Sequence, residues 1–387
     1  MAAGFQLPGS EETIHLQQQV ARLQALLEAS RQVHSTIHET EVLEQVLRIL
    51  VRELEMAGAA FPAYGLVYGD DPARQPAAPL IWPLADRDGH QMAELHVAAP
   101  NGRELTLYES DFIEGLALQA AVALENARSH RRNLAFARVQ QDLDAARGIQ
   151  RSLLPQRLPS IAGYSLALRS DACYEVGGDY LDIVELPDGS LIFAVADVAG
   201  KGLASAITSM GFRSAFRAMA LSGLALDELA TRMNQHHWAE GEEVRRRYVT
   251  AIFLRLTPAT GALEVVNCGH NPGFLALPGQ SIHELQAAGT PLGLLPGMSY
   301  SIERAQLPDG SRLLFYTDGL TEVFKGDEEF GPERLQQTFL SCSAQNADAI
   351  LNALWEAILA FSEGSPQGDD MTALVLCRAV APQETTA

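Results

Sequence analysis

The chain has 387 residues, with 28 Lys and Arg against 48 Asp and Glu and a formal net charge of −20. That balance excludes broad binding to nucleic acid or to an anionic membrane, since both need a cationic surface, and the run Arg245-Arg246-Arg247 reads as a solvated face. An apolar fraction of 47% is ordinary for a folded protein, and at roughly 150 residues per domain the length predicts two or three domains.

Residues 1–9 read as a loose tail without a basic flank or apolar leader. From Ser10 the positions Leu16, Val20, Leu23 and Leu27 form a short a/d stripe, which either packs on the module next in the chain or pairs with a second chain. Residues 39–56 are helical, with Val42, Leu43, Val46, Leu47, Leu50 and Leu54 on one side. Strand-like segments come next, near Tyr64–Tyr68, Pro79–Leu84 and Met92–Ala98, bounded by turns, so this is a small α+β module. A long helix starts near Ser110, with Ser110 or Asp111 as the expected cap, and Pro155 closes it. Its polar middle, Ser129-His130-Arg131-Arg132-Asn133, is a place for a kink, and its thin apolar stripe reads as a coiled-coil connector.

Beyond Pro159, strand-like runs dominate: Ser190–Ala196, Tyr248–Leu256, Ala262–Asn267, Arg312–Thr317 and Thr372–Cys377. Helices interrupt them at Leu203–Leu221 and Ala347–Phe361. This order predicts an antiparallel β core covered by helices. The expected domains are 1–30 (tail and short coiled-coil helix), 31–130 (sensor), 131–155 (helical linker), 156–380 (catalytic) and 381–387 (tail). Cys173, Cys268, Cys342 and Cys377 are far apart, which predicts reduced thiols in a cytoplasmic protein. No apolar run approaches the ~20 residues needed to cross a bilayer.

Aspartates fall repeatedly where apolar runs meet glycine. Asp179 follows Gly177-Gly178, Asp197 ends Leu191–Ala196, Asp318 ends Leu313–Thr317, and Asp369-Asp370 open Met371–Leu376. Carboxylates converging from four strand ends cannot all stay ionised without a cation between them. Hard divalent ions prefer such oxygen donors, and two of them, bridged by a carboxylate and a water, suit phosphoryl transfer.

Several blocks then stand in a specific order: Ala146–Pro155, Glu175-Val176-Gly177-Gly178-Asp179-Tyr180, Asp197-Val198-Ala199-Gly200-Lys201-Gly202, Asn267-Cys268-Gly269-His270-Asn271-Pro272, Gly289-Thr290-Pro291-Leu292-Gly293, Thr317-Asp318-Gly319 and Asp369-Asp370-Met371-Thr372. Over residues 145–378 this resembles the PPM-type metal-dependent Ser/Thr phosphatases, in the bacterial SpoIIE/RsbU-like branch. The resemblance implies an α-β-β-α sandwich holding two Mn²⁺ or Mg²⁺. Asp197 would bridge them, the Val198 carbonyl would add a ligand, Asp179 would join the second metal, and Asp318 and Asp369 would hold the first. The catalytic element would be a metal-bridging water held by Asp197 and Asp179. Asp182 and Asp370 are adjacent acids of open role, and His270 is either a turn histidine or a general acid. The arginine that grips phosphate in larger members is missing, and Arg169 is only a weak substitute.

Thr106–Ile113 with Leu116–Arg128 resembles the end of a GAF sensor domain, whose pocket Tyr64, Tyr68 and Trp82 could line for a small-molecule or protein activator. The implied whole is α+β: a GAF-like module, a long helix and a phosphatase domain. The implied substrate is a phosphorylated regulatory protein of the anti-sigma factor antagonist type, and a coiled coil predicts a homodimer. The alternative is a catalytically silent phosphatase fold that binds a signalling partner. Other chemistries fail. No cysteine starts Cys-x₅-Arg, Gly200-Lys201-Gly202 lacks a Walker frame, and no Gly-x-Ser-x-Gly elbow occurs.

Overall fold

The computed structural model describes residues 10–279, 282–286, 289–342 and 346–380; the expected tails, 1–9 and 381–387, lie outside them. The chain divides into two units, Met1–Gln140 and Gln141–Ala387.

The first unit contains α1 (Ser10–Val33), α2 (Glu39–Arg52), β1 (Gly58–Phe61), β2 (Leu66–Gly69), β3 (Leu80–Ala85), β4 (Gln91–Ala98) and the start of α3 (Leu107–Leu153). Its sheet runs β2-β1-β4-β3 with antiparallel neighbours. The apolar face of α2 and Ile113, Leu116 and Leu124 of α3 bury against Phe61, Leu84, Leu95 and Val97. The strand β1 escapes sequence reading because Gly58-Ala59-Ala60-Phe61 is buried on both faces and shows no alternation. Among the described side chains of α1, Leu26, Ala29 and Val33 reach this core. The stripe Leu16, Val20, Leu23 and Leu27 stays exposed, so it does not pack on its own unit.

The cap of α3 differs from expectation. Thr106 and Glu109 form a capping box, in which the Glu109 amide donates to Thr106 Oγ1 (3.3 Å) and the Thr106 amide to the Glu109 carboxylate (2.8 Å). Arg103 adds two hydrogen bonds of 2.6 and 2.9 Å, and this guanidinium holds the Glu109 carboxyl at about 2. The helix runs without interruption through 129–133, the polar stretch where the sequence left room for a kink; it contains no Pro to break it.

The second unit follows as β5 (Tyr164–Asp171), β6 (Tyr180–Glu185), β7 (Leu191–Val198), α4 (Leu203–Ala220), α5 (Leu226–Ala239), α6 (Glu242–Arg245), β8 (Val249–Thr257), β9 (Ala262–Cys268), β10 (Gly273–Ala276), β11 (Ile282–Leu285), β12 (Glu303–Gln306), β13 (Arg312–Tyr316), β14 (Phe324–Lys325), β15 (Glu328–Glu329), α7 (Gly331–Ser341), α8 (Ala347–Ser362) and β16 (Met371–Arg378). One sheet runs β11-β10-β13-β16-β5 and the other β12-β9-β8-β7-β6. Leu181, Phe193, Ile252, Leu313, Phe315, Leu374 and Leu376 fill the space between the sheets. Outside it, α4 and α5 cover the second sheet through Phe212, Phe216, Leu229 and Met233, while α7 and α8 cover the first through Leu335, Phe339, Leu354 and Ile358. Four layers result, an α-β-β-α sandwich, as the sequence blocks imply.

Truncating Phe315, which lies between the sheets, is expected to destabilise the second unit by about 3–5 kcal/mol, and Thr106→Ala the first by about 1 kcal/mol. Hydrogen exchange read unit by unit checks both, and equal losses in the two units would contradict the division.

Candidate metal centre

Five of the acids singled out in the sequence sit at or next to strand ends. Asp197 is the penultimate residue of β7, and Asp179 immediately precedes β6, whose Tyr180 pairs with Ala196 of β7. In the other sheet, Asp318 opens a 3₁₀ turn two residues after β13, and Asp369 and Asp370 precede β16, with Tyr316 opposite Ala373. Antiparallel pairing brings the end of one strand beside the start of its neighbour, so all five acids collect at one edge of the sandwich. Thr317 ties the sheets together there. Its Oγ1 donates to Asp179 Oδ2 at 2.7 Å and accepts the Thr372 amide at 3.0 Å.

The edge is electrostatically loaded. Burial, reinforced by Asp197 and Asp370, pushes the Asp179 carboxyl well above the ordinary carboxylate range. Burial and then repulsion from Asp318, Asp369, Asp370 and Glu322 push Asp197 up to about 7. Asp318, Asp370 and Glu322 are raised as well, each chiefly by burial. Asp370 holds the loop in front of this cluster, accepting the Cys173 amide at 2.7 Å and the Gly178 amide at 2.6 Å. Close approach here demands glycine. A Cβ on Gly177 would stand 2.4 Å from Asp370 Oδ2, and one on Gly319 would stand 1.9 Å from the Asp370 carbonyl oxygen.

Other sequence candidates lie elsewhere. Asp182 is buried and accepts from Tyr180 Oη (2.5 Å), Arg217 (2.7 and 2.8 Å) and the Ile183 amide, so it anchors α4 to β6. His270 is buried, its Nδ1 lies 2.9 Å from Thr250 Oγ1, and Asn267 Oδ1 accepts its amide. Burial lowers its imidazole to about 4, so it is neutral at pH 7 and has no acidic proton to give. Arg169 stacks on Trp355 (4.7 Å) and pairs with Asp171 (2.8 Å), which commits it away from the acidic edge. In the first unit, Tyr64 accepts from Arg128 and Tyr68 from Arg52, and Trp82 lines a cavity of about 820 Å³ with Leu80, Leu105 and Thr106.

Sequence reasoning passed over four contributors. Two lie at the end of α3. Gln150 exchanges two hydrogen bonds with Gly177 (2.7 and 3.1 Å), and Arg147 donates to the carbonyls of Glu175 and Tyr174 (2.7 and 3.0 Å). The others are Glu322, which raises Asp197, and Lys201, whose Nζ lies 2.9 Å from Asp369 Oδ2. The block Ala146–Pro155 was the available signal for the first pair.

The donor set is all oxygen, partly buried and mutually repelling, which fits hard divalent cations and no soft or imidazole-seeking metal. Among the described residues, the only His, Cys, Asp or Glu trio with donor atoms within 4.8 Å is Asp86, Asp88 and His90 in the β3–β4 turn. Hydrogen bonds of the turn itself explain that trio, since Asp86 Oδ1 accepts the Asp88 and His90 amides. At the acidic edge the carboxylates stand farther apart, and the Lys201 ammonium supplies local positive charge.

A four-layer sandwich with a carboxylate-lined edge defines the PPM class of metal-dependent phosphatase folds. Residues 187–379 match the family model described as Stage II sporulation protein E (SpoIIE), and this part of the chain belongs to that family. The chain is 25% identical over 263 residues to Protein IcfG of Synechocystis sp., covering 61% of this chain and 41% of that protein. It is 26% identical over 187 residues to Phosphoserine phosphatase RsbP of Bacillus subtilis, covering 47% of this chain and 46% of that one. The chain thus spans less than half the length of these two relatives. The solved SiaA-PP2C domain of Pseudomonas aeruginosa superposes with a TM-score of 0.56 at 20% identity, over 62% of this chain and 97% of that domain.

The raised carboxyls set the sign of a pH effect. Asp197 titrates near 7 in the folded, metal-free protein against 3.8 unfolded, so its stabilising share is complete below about 3.8 and vanishes as pH climbs through 7. In EDTA, Tm is therefore expected to fall between pH 5 and pH 8, and saturating Mn²⁺ should remove the fall because metal selects the ionised form. A Tm that rises over this range in EDTA would contradict the electrostatic account.

Proposed function

We propose that the chain is a metal-dependent protein-serine/threonine phosphatase controlled by its N-terminal unit. The observation that carries this reading is the convergence of Asp179, Asp197, Asp318 and Asp369 at one sandwich edge, where burial and neighbouring carboxylates raise the proton affinity of Asp179, Asp197 and Asp318. On this reading Asp197 and Asp179, with the Val198 carbonyl, Asp318 and Asp369, hold two Mn²⁺ or Mg²⁺. When bound, these ions supply Lewis acidity and an activated water. The chain's own part is to present the donors rigidly. Asp370 and Thr317 fix the loops carrying Asp179 and Asp318, and Gly177 and Gly319 let backbone come within reach. Hydrolysis releases inorganic phosphate and leaves serine or threonine on the substrate.

The substrate class we infer is a phosphorylated regulatory protein of the anti-sigma factor antagonist type in a bacterial pathway. A relative named as a phosphoserine phosphatase supports the phosphoamino acid. The silent-scaffold alternative is disfavoured by a donor set with no member replaced. A cytoplasmic setting suits four cysteines that are all free thiols. No helix among the described residues is long and apolar enough to cross a membrane.

Regulation runs through α3 in this proposal. Its last turns grip the Tyr174–Gly177 loop through Arg147 and Gln150, so a shift of the helix would carry Asp179 with it. The first unit is the GAF-like sensor for a small-molecule or protein activator. The exposed Leu16, Val20, Leu23 and Leu27 of α1, with Leu134, Phe136 and Val139 of α3, would pair two copies into a homodimer.

The test is release of phosphate from a phosphoserine protein by the purified chain. Activity should require Mn²⁺ or Mg²⁺, vanish in EDTA and drop at least about 100-fold in Asp197→Asn; EDTA-resistant turnover would sink the reading. Gln150→Ala is expected to weaken Mn²⁺ binding about tenfold in calorimetry without lowering the Tm of the second unit by more than about 4 °C.

A further inference from the structure

The acidic edge poses a charge problem that its metals alone do not solve. Six carboxylates are electrostatically linked there: Asp179, Asp197, Asp318, Asp369, Asp370 and Glu322. Two divalent cations offset four of these charges, which leaves an excess of two negative charges facing a phosphate monoester dianion. Arg169 is taken up by Trp355 and Asp171. Cationic side chains must reach the rim from somewhere else.

Arg147 is committed to the carbonyls of Tyr174 and Glu175, while two other cations meet at the loop 199–202 that follows Asp197: Lys201 within it and Arg247 beside it. Lys201 extends across it, with Nζ 2.6 Å from the Gly368 carbonyl and 2.9 Å from Asp369 Oδ2, while its side chain stays half exposed. Arg247 stands beside the same loop. The Ala199 amide donates to the Tyr248 carbonyl at 2.9 Å, extending the β7–β8 ladder by one residue, and this brings Arg247 alongside Gly200. Its Nε lies 4.0 Å from where a Cβ on Gly200 would stand. The guanidinium donates one hydrogen bond, to the Glu243 carbonyl, and among the described residues it has no carboxylate partner. Its neighbours in the basic run are already engaged. Arg246 pairs with Glu242 and Glu243, and Arg245 stacks on Trp238. Arg247 is thus the member of the run whose charge remains available, and it stands beside Gly200, three residues after Asp197.

We propose that Lys201 and Arg247 form an anion subsite for the phosphoryl group of the substrate and for the phosphate product. Arginine suits it through its planar fork of donors and lysine as a mobile point charge, free to leave Asp369 once a divalent ion takes that carboxylate. The inference rests on the metal-centre reading above and adds to it the residues that bind the phosphoryl dianion.

Inorganic phosphate titrated into the Mn²⁺-loaded full chain at constant ionic strength, followed by calorimetry, tests it. Lys201→Met and Arg247→Met should each weaken phosphate binding about tenfold, the double variant further, and Arg247→Lys should recover part of the loss. Arg246→Met, with its charge already paired, should bind phosphate as the parent chain does. Mn²⁺ affinity, titrated without phosphate, should be kept or tightened in Lys201→Met, because a competing ammonium has gone. Unchanged phosphate affinity in a double variant that still binds Mn²⁺ would overturn the anion subsite and leave the metal centre standing. A parent chain that takes up no Mn²⁺ would overturn both.

Discussion

Carboxylates that repel one another at the edge of a rigid sandwich are the constraint around which the second unit is built. Left to itself such a cluster would protonate or spread apart, and the raised proton affinities of Asp179 and Asp197 register that tension. The fold resists spreading because the acids are fixed to strand ends, and those strands are held by a dry core of Phe193, Ile252, Leu313 and Phe315. Stability of the sandwich is spent on holding an arrangement that only a cation relieves.

Smaller interactions make the arrangement specific. Asp370 is itself acidic, yet its oxygens are turned to the amides of Cys173 and Gly178. It thereby restrains the loop ahead of Asp179. Thr317 bridges the two sheets with a single hydroxyl, donating to Asp179 and accepting from Thr372. The end of α3 reaches the same loop through Gln150 and Arg147, so the segment carrying Asp179 is held from both sides.

Charge distribution extends the same logic to the rim. A chain of net charge −20 keeps most of its arginines in ion pairs or stacked on rings, and a cation without such a partner next to an acidic cleft has a ligand-facing role open to it. Asp182 illustrates the opposite case: it stands three residues from Asp179, yet Arg217 and Tyr180 satisfy it completely inside the packing of α4 on β6.

Local chemistry was enough to foresee an antiparallel β core covered by helices, the long helix up to Pro155 and the acids at strand ends, while the four-layer order came from the family resemblance. Apolar periodicity, proline and the Asp–Gly punctuation are properties of short segments. The capping box of Thr106 and Glu109, the all-buried β1 and the unbroken helix through Ser129–Asn133 were missed or misread, because neighbouring signals there compete and burial removes alternation. What tertiary structure alone decided is which way each side chain of an adjacent pair faces. Asp369 pairs with Lys201 while Asp370 turns to backbone amides, and Arg247 stays unpaired by carboxylate while Arg246 does not. The choices at the acidic edge depend on partners far along the chain, such as Asp370 with Cys173 and Thr317 with Thr372, whose approach follows from packing the strands together and from no property of the segments themselves.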